Sequence, residues 1–320
     1  MDELLLALDY GGTKHSAAIL RRGERVWAAH ARVLSPIGAD AAYDQTTVLR
    51  MARELLAQVR GRLIAVGVSF GGPVDASRGL VRLSHHVPGW EDVPLAEILG
   101  RELGAPAAVD NDANVAALGE WRFGAGQGTD SLLYVTVSTG VGGGWVLGGR
   151  IWSGADGMAG EIGHTIVRPG GMLCSCGKHG CVEAEACGPA MARKTIARLS
   201  IDPQSGRLLF ELSSGHPEGV TGELVARAAS MGDPLALDVL LDSAGALGSG
   251  IATAINLINP QRVVLGGGVT KAGDQWWARV RETARAETLP QARVDIIPAG
   301  MSDDAPLWGA AALAENVLSL

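Results

Sequence analysis

One pattern occurs twice in this 320-residue chain. Residues 4–9 (Leu-Leu-Leu-Ala-Leu-Asp) form an apolar run with no helical spacing, broken at Gly11-Gly12 and followed by a second apolar run at 16–20. Residues 132–137 repeat it, followed by Ser138-Thr139-Gly140, Gly142-Gly143-Gly144 and the apolar run 145–147. Short apolar runs bounded by glycine read as strand, turn, strand. Setting Leu4 on Leu132 puts Gly12 on Gly140, which predicts a duplicated α/β architecture with two similar halves.

The rest of the chain fits an α/β reading. A third strand is expected at 25–33 after the charged turn 21–24, and further strands at 63–69, 107–109 and 263–265. Val48, Leu49, Ala52, Leu55, Leu56 and Val59 have helical spacing and predict a helix over 44–60. Helices are also expected at 94–103, after Asn114, and at 223–231, 234–257, 274–287 and 306–318, with 203–222 a polar surface loop.

Composition removes several classes. Glycine is high at 45 residues, but without a G-X-Y period or a Pro/Gly tract, so collagen and low-complexity chains are excluded. Lys+Arg is 27 against Asp+Glu 34, a net charge of −7, which leaves no broad basic surface for nucleic acid. No run of about 18 apolar residues suggests a membrane span. The acidic start MDELLLALDYGG is unlike a signal peptide, so a cytoplasmic protein is expected.

Five strands therefore end in glycine-rich or acidic turns: Gly11-Gly12 and its counterpart at Gly140, Gly71-Gly72, Asp110-Asn111-Asp112 and Gly266-Gly267-Gly268. Any one would pass as a tight turn; as a set they point to a nucleotide, because glycine lets backbone N–H groups approach phosphate. A Walker A loop is excluded: the sole Gly-Lys pair, Gly177-Lys178, has Met172 where glycine is required. No GxGxxG opens a helix after the first strand, so a dinucleotide fingerprint is also missing. Asp9 at the end of the first strand sits where a carboxylate would hold Mg²⁺ against a polyphosphate, with Thr13 and Lys14 adding a hydroxyl and a cation.

Two clusters carry further chemistry. Asp110, Asn111, Asp112 and Asn114 between a strand and a helix suit N-capping, a role that fits Asp110 and Asn114 well. The same position suits a carboxylate that accepts a proton from an alcohol. All four cysteines, Cys174, Cys176, Cys181 and Cys187, fall within 14 residues, which reads as a metal site rather than as disulfides. Three thiolates lie in Cys174–Cys181, and spacing leaves His164, His179 and Cys187 as candidates for a fourth ligand.

With these motifs in hand, the chain resembles the ROK family of sugar kinases. The residues that carry the resemblance are Asp9–Lys14, Gly71-Gly72-Pro73-Val74-Asp75, Asn111–Asn114, Ser138–Gly144, Glu161-Ile162-Gly163-His164, Cys174–Glu183 and Leu265–Gly268, in family order over nearly the whole chain. The resemblance implies a two-domain sugar kinase/actin-like (ribonuclease H-like) fold with a cleft between the domains. The smaller domain would comprise 1–118 and 303–320, and the larger one 119–302. Closure is expected about hinges near Asn114–Gly119 and Met301–Pro306.

It also implies roles. Asp112 would be the catalytic base. Asp9, Gly11, Gly12, Thr13, Lys14, Ser138, Thr139, Gly140, Gly142, Gly266, Gly267 and Gly268 would hold ATP and Mg²⁺. Gly72, His86, Asn111, Asp112, Glu161, His164 and Glu183 would bind sugar. The family pattern GHx9CxCx4C selects His164, Cys174, Cys176 and Cys181 for a structural Zn²⁺, leaving Cys187 a small buried residue and His179 at the surface. Asp75 is the competing carboxylate, better suited to a turn.

The implied activity is an ATP-dependent hexose 6-phosphotransferase, with glucose the first candidate. Fructose, mannose, N-acetylglucosamine and N-acetylmannosamine are alternatives. A non-catalytic sugar-sensing regulator is a reading of a different class. A homodimer or homotetramer is the expected assembly. Where the family commonly has Asn-Leu-Pro-Gly-Trp this chain has His86-Val87-Pro88-Gly89-Trp90, a change that bears on which sugar is bound.

Overall fold

A computed structural model describes residues 1–84 and 87–318. The first half contains strands β1 (Glu3–Tyr10), β2 (Lys14–Arg21), β3 (Trp27–Leu34), β4 (Arg62–Phe70), β5 (Val74–Asp75), β6 (Leu80–Val81) and β7 (Ala107–Asn111). The second half adds β8 (Ser131–Val137), β9 (Val141–Leu147), β10 (Arg150–Ile151), β11 (Arg262–Gly266) and β12 (Asp295–Pro298). The helices are α1 (Ala41–Gln58), α2 (Leu95–Leu103), α3 (Asp112–Phe123), α4 (Val182–Ala186), α5 (Gly188–Ile201), α6 (Arg207–Leu212), α7 (Gly222–Ser230), α8 (Pro234–Ile258), α9 (Asp274–Glu287) and α10 (Ala305–Val317).

The predicted duplication is present in the sheets. One runs β3-β2-β1-β4-β7 and the other β10-β9-β8-β11-β12, the same order of third, second, first, fourth and fifth strand. The chain divides into two compact units. The first comprises Met1–Tyr134, Gly144–Ala159 and Ala299–Leu320, and the second Val135–Gly143 and Gly160–Pro298.

In the first unit, β1 pairs antiparallel with β2 and parallel with β4, which pairs parallel with β7. Alternate residues of β1 serve opposite faces. Leu4, Leu6 and Leu8 join Met51 and Leu55 of α1 and Leu95 and Leu99 of α2, while Leu5 and Ala7 pack with Val115 of α3 and Leu307, Ala310 and Ala311 of α10. Both faces are buried, so β1 shows no polar alternation. Each leucine so buried contributes about 1.5–3 kcal/mol.

The central helix of the second unit is α8, which packs against α4, α5, α7 and α9. It is long and apolar enough to cross a bilayer by composition, but 72% of its apolar window is buried within the protein, as in a core helix.

Several expectations need correction. The stretch 203–222 is not a loop: it holds a 3-10 turn at Pro203–Gly206, helix α6 and a second 3-10 turn at Pro217–Gly219. The stabilising cap comes from a distant residue, since Asp233 accepts hydrogen bonds from the Leu208 and Leu209 amides at 3.1 and 3.2 Å. Helix α5 was not anticipated; its buried residues Ala190, Met191, Thr195 and Leu199 form too sparse a stripe to show helical periodicity. Gly142, Gly143 and Gly144 are strand residues of β9 rather than a turn. A Cβ on Gly144 would lie 2.6 Å from the Ala113 carbonyl, so this glycine permits close packing of strand on helix. The stretch 114–119, expected to act as a hinge, is the middle of the continuous helix α3.

Candidate active site and metal centre

In the first unit, three parallel strands bring their carboxyl ends level: Asp9 is in register with Ser69, and Ser69 with Asp110; Tyr10 is in register with Phe70, and Phe70 with Asn111. Ligands of open α/β sheets bind beyond such strand ends. Here they carry Asp9 and the Gly11–Lys14 turn, Gly71-Gly72, and Asn111-Asp112.

Ser69 donates to Asp9 Oδ1 at 2.8 Å. Asn111 Nδ2 donates to the Gly72 carbonyl at 3.1 Å, joining two of these ends. Asp112 Oδ2 lies 3.8 Å from where a Cβ on Gly71 would stand, so its carboxylate sits against the glycine turn. Gly12 and Thr13 are exposed and Lys14 is half-buried.

Burial raises the Asp9 carboxyl above its ordinary value, against the Ser69 hydrogen bond that lowers it. Asp112 is pushed up to about 6, first by burial and then by the Asp9 charge, with the Ala113 amide pulling the other way. A carboxylate in this range is ionised at neutral pH yet basic enough to accept a proton from an alcohol as it is phosphorylated.

The N-cap assignment shifts by one residue. Asn111 caps α3, accepting from the Ala113 amide at 3.0 Å. Asp110 instead accepts from the Asn111 amide and Asn114 Nδ2, at 2.7 and 3.0 Å. Asp75 is a turn residue, with Ser77 and Arg82 donating to its carboxylate at 2.7 and 3.0 Å. His86 lies outside the described residues. Trp90 Nε1 donates to Asp44 at 3.1 Å, and Asp44 also bonds the fully buried His15 at 2.8 Å.

The second unit brings two more glycine turns together. Gly267 has a φ of +89°, and a Cβ there would strike the Val137 carbonyl at the end of β8, which places Gly266–Gly268 beside Ser138-Thr139-Gly140. Ser138 and Thr139 are exposed. Gly142 is two residues into β9, away from the tip of that turn.

The same unit holds the metal-type cluster. His164, Cys174, Cys176 and Cys181 present ligand atoms all within 4.8 Å of one another. His164 Nδ1 is 3.6 Å from Cys174 Sγ, and Cys176 Sγ is 3.7 Å from Cys181 Sγ. Tetrahedral zinc bonds of about 2.0–2.3 Å require ligand–ligand edges of about 3.6–3.8 Å, so the donor set fits such an ion. Cys187 is buried apart from the cluster and His179 is exposed, its Nδ1 2.9 Å from the Gly171 carbonyl. The other nitrogen of His164, Nε2, is 3.9 Å from Glu161 Oε2. Glu183, at the start of α4, lies between this loop and the Gly140 turn.

Sequence reading missed a charged network behind the metal loop. Glu185, only 2% exposed, accepts from the Met172 amide at 2.8 Å and pairs with Lys194 at 2.7 Å and Arg168 at 3.2 Å. Arg168 and Lys194 also hold Asp242 of α8, at 2.8 and 2.7 Å. Burial alone would raise the Glu185 and Asp242 carboxyls. The hydrogen bonds from Lys194 and Arg168 overcome it, lowering both and taking Asp242 to about 2. The one available signal was a second acid in the apolar run Val182–Cys187, two residues after Glu183.

Comparison with known proteins agrees with this geometry. The ROK family model matches residues 5–317. A glucokinase of Streptomyces coelicolor is 33% identical over 316 residues, covering 98% of each chain. A ROK hexokinase from Thermus thermophilus superposes with a TM-score of 0.87 at 34% identity over 99% of each chain. A ROK family glucokinase from Streptomyces griseus, solved with glucose and AMPPNP, gives 0.80 at 32% identity, over 98% of this chain and 99% of that one. The α/β architecture with its duplicated mixed sheets is the actin-like fold of the ROK sugar kinases. From its strand-end carboxylates to its Cys3His cluster, the chain belongs to the ROK family.

Proposed function

We propose that the protein is an ATP-dependent hexose kinase that phosphorylates the 6-hydroxyl, with glucose as substrate. The observation that carries this is Asp112: a half-buried carboxylate raised to about 6, beside Asp9 at aligned strand ends. Similarity to glucokinases over the full chain supports the choice of sugar.

In the reaction, the sugar O6 forms a bond to the γ-phosphorus as the bond from that phosphorus to the β,γ-bridging oxygen breaks. ADP leaves with the electron pair, and Asp112 accepts the O6 proton. Asn111, Glu161, His164 and Glu183 hold sugar hydroxyls; carboxylates suit polyols because each oxygen accepts hydrogen bonds. The amides of the Gly11-Gly12, Ser138–Gly140 and Gly266–Gly268 turns, with Thr13 and Lys14, hold the phosphates.

Asp9, kept in place by Ser69, is the residue for Mg²⁺, which when bound neutralises phosphate charge. His164, Cys174, Cys176 and Cys181 are the residues for Zn²⁺, whose contribution with four protein ligands is structural.

The test is a coupled ADP-release assay over glucose, fructose, mannose, N-acetylglucosamine and N-acetylmannosamine, with the product's phosphate located by NMR. The proposal expects the highest kcat/KM with glucose and phosphate on O6. Turnover of none of the five would overturn it in favour of a sugar-binding regulator.

A further inference from the structure

Glu183 uses both carboxylate oxygens within the second unit. Its Oε1 accepts from the Ser175 hydroxyl at 2.9 Å, and Ser175 lies between the cluster cysteines Cys174 and Cys176. Its Oε2 accepts from the Val141 amide at 3.0 Å, at the first residue of β9 and directly after the Gly140 turn. A Cβ on Gly140 would stand 2.6 Å from Oε2, so the turn leaves room for this contact only with glycine there. The turn is closed by the Ser138 amide donating to the Gly140 carbonyl at 2.9 Å. One side chain thus spans the metal loop and the exit of a glycine turn.

We propose that Glu183 is a strut that fixes the Ser138–Gly140 turn against the metal loop, and that Ser175 is the positioning residue that sets the strut's orientation. The consequence for function rests on the kinase reading: sugar and nucleotide affinities are coupled through Glu183, so one change at Ser175 moves both. Two ligands that favour the same fixed arrangement help each other reciprocally.

Ser175 is exposed, so its replacement leaves the fold in place. Amide hydrogen exchange of the metal-loaded full chain, without sugar or nucleotide, reads the Val141 amide. In Ser175→Ala the proposal expects exchange there to quicken by about threefold or more, with metal content and Tm matching wild type and Ser175→Thr restoring protection. In turnover, KM for glucose and for ATP should both rise about 3–10-fold in Ser175→Ala, the loss of one charge-assisted hydrogen bond, with kcat within about twofold.

Unchanged exchange at Val141, or a rise in the sugar KM alone, overturns the strut. If the wild type phosphorylates no hexose while the exchange difference appears, the kinase reading fails and the strut stands. Normal wild-type turnover with no exchange difference fails the strut alone.

Discussion

Asp9 is buried and Asp112 half-buried, and among the described residues they are held by hydroxyl, amide and backbone donors, with no salt bridge to either. The buried Glu185 and the half-buried Asp242 are instead paired directly with Lys194 and Arg168. The first pair titrates upward and the second downward, from the same chemical group. An uncompensated buried carboxylate is costly to keep and worth keeping only where the proton is used. A compensated one is architecture: here it ties the metal loop, through Met172 and Arg168, to α5 and α8.

The contrast breaks first if Asp112→Asn is active. That variant should lose at least about 10²–10⁴-fold in kcat, the range for removing a general base, while still binding glucose by calorimetry. It should also be more stable than wild type at neutral pH, by about 1–3 kcal/mol in denaturant melts. The sign follows from the raised value. Ionising Asp112 costs stability that is lost as pH climbs from the ordinary 3.8 through about 6, and an amide escapes that loss.

A verified metal-free sample should lose most activity together with several degrees of Tm, because His164 and the loop leading to Glu183 share the metal site. Full activity without metal would detach the cluster from function.

On the compensated side, Lys194→Met leaves Glu185 buried with Arg168 as its remaining cation. It should cost about 2–4 kcal/mol of stability in denaturant melts. Wild-type stability from this network is complete above the ordinary carboxylate range and falls as pH drops through about 2, the value at Asp242. Lys194→Met should flatten that acid limb.

The smallest effect sharpens the comparison. Wild-type kcat/KM should fall about tenfold per pH unit below about 6, as Asp112 takes up its proton. Lys194→Met, measured where it is folded, should leave that limb unmoved. A shifted limb would mean that the two clusters are electrostatically one.

Much of the chemistry was legible because it is local in sequence. Asp9 with its glycine turn, Asn111-Asp112 and the Cys174–Cys181 spacing each declare themselves in a few residues, and the repeat of Leu4–Gly12 at Leu132–Gly140 gave the doubled sheet order. What stayed hidden depends on partners far along the chain. Helix α6 is capped by Asp233, β9 absorbs glycines that look like a turn, and Glu185 is held by Lys194 and Arg168. Ser69, which orients Asp9 from a neighbouring strand, has no signature in its own segment. Periodicity and motif spacing see neither a cap nor a counter-ion supplied from elsewhere.

The decisive comparison is a single-turnover measurement of γ-phosphoryl transfer from ATP to glucose, wild type against Asp112→Asn, at pH 8 with both proteins saturated in sugar. Transfer that collapses in the variant while its glucose affinity stays within about threefold is the predicted result. Transfer within about tenfold of wild type would contradict Asp112 as the proton acceptor, and with it the reading of its raised pKa.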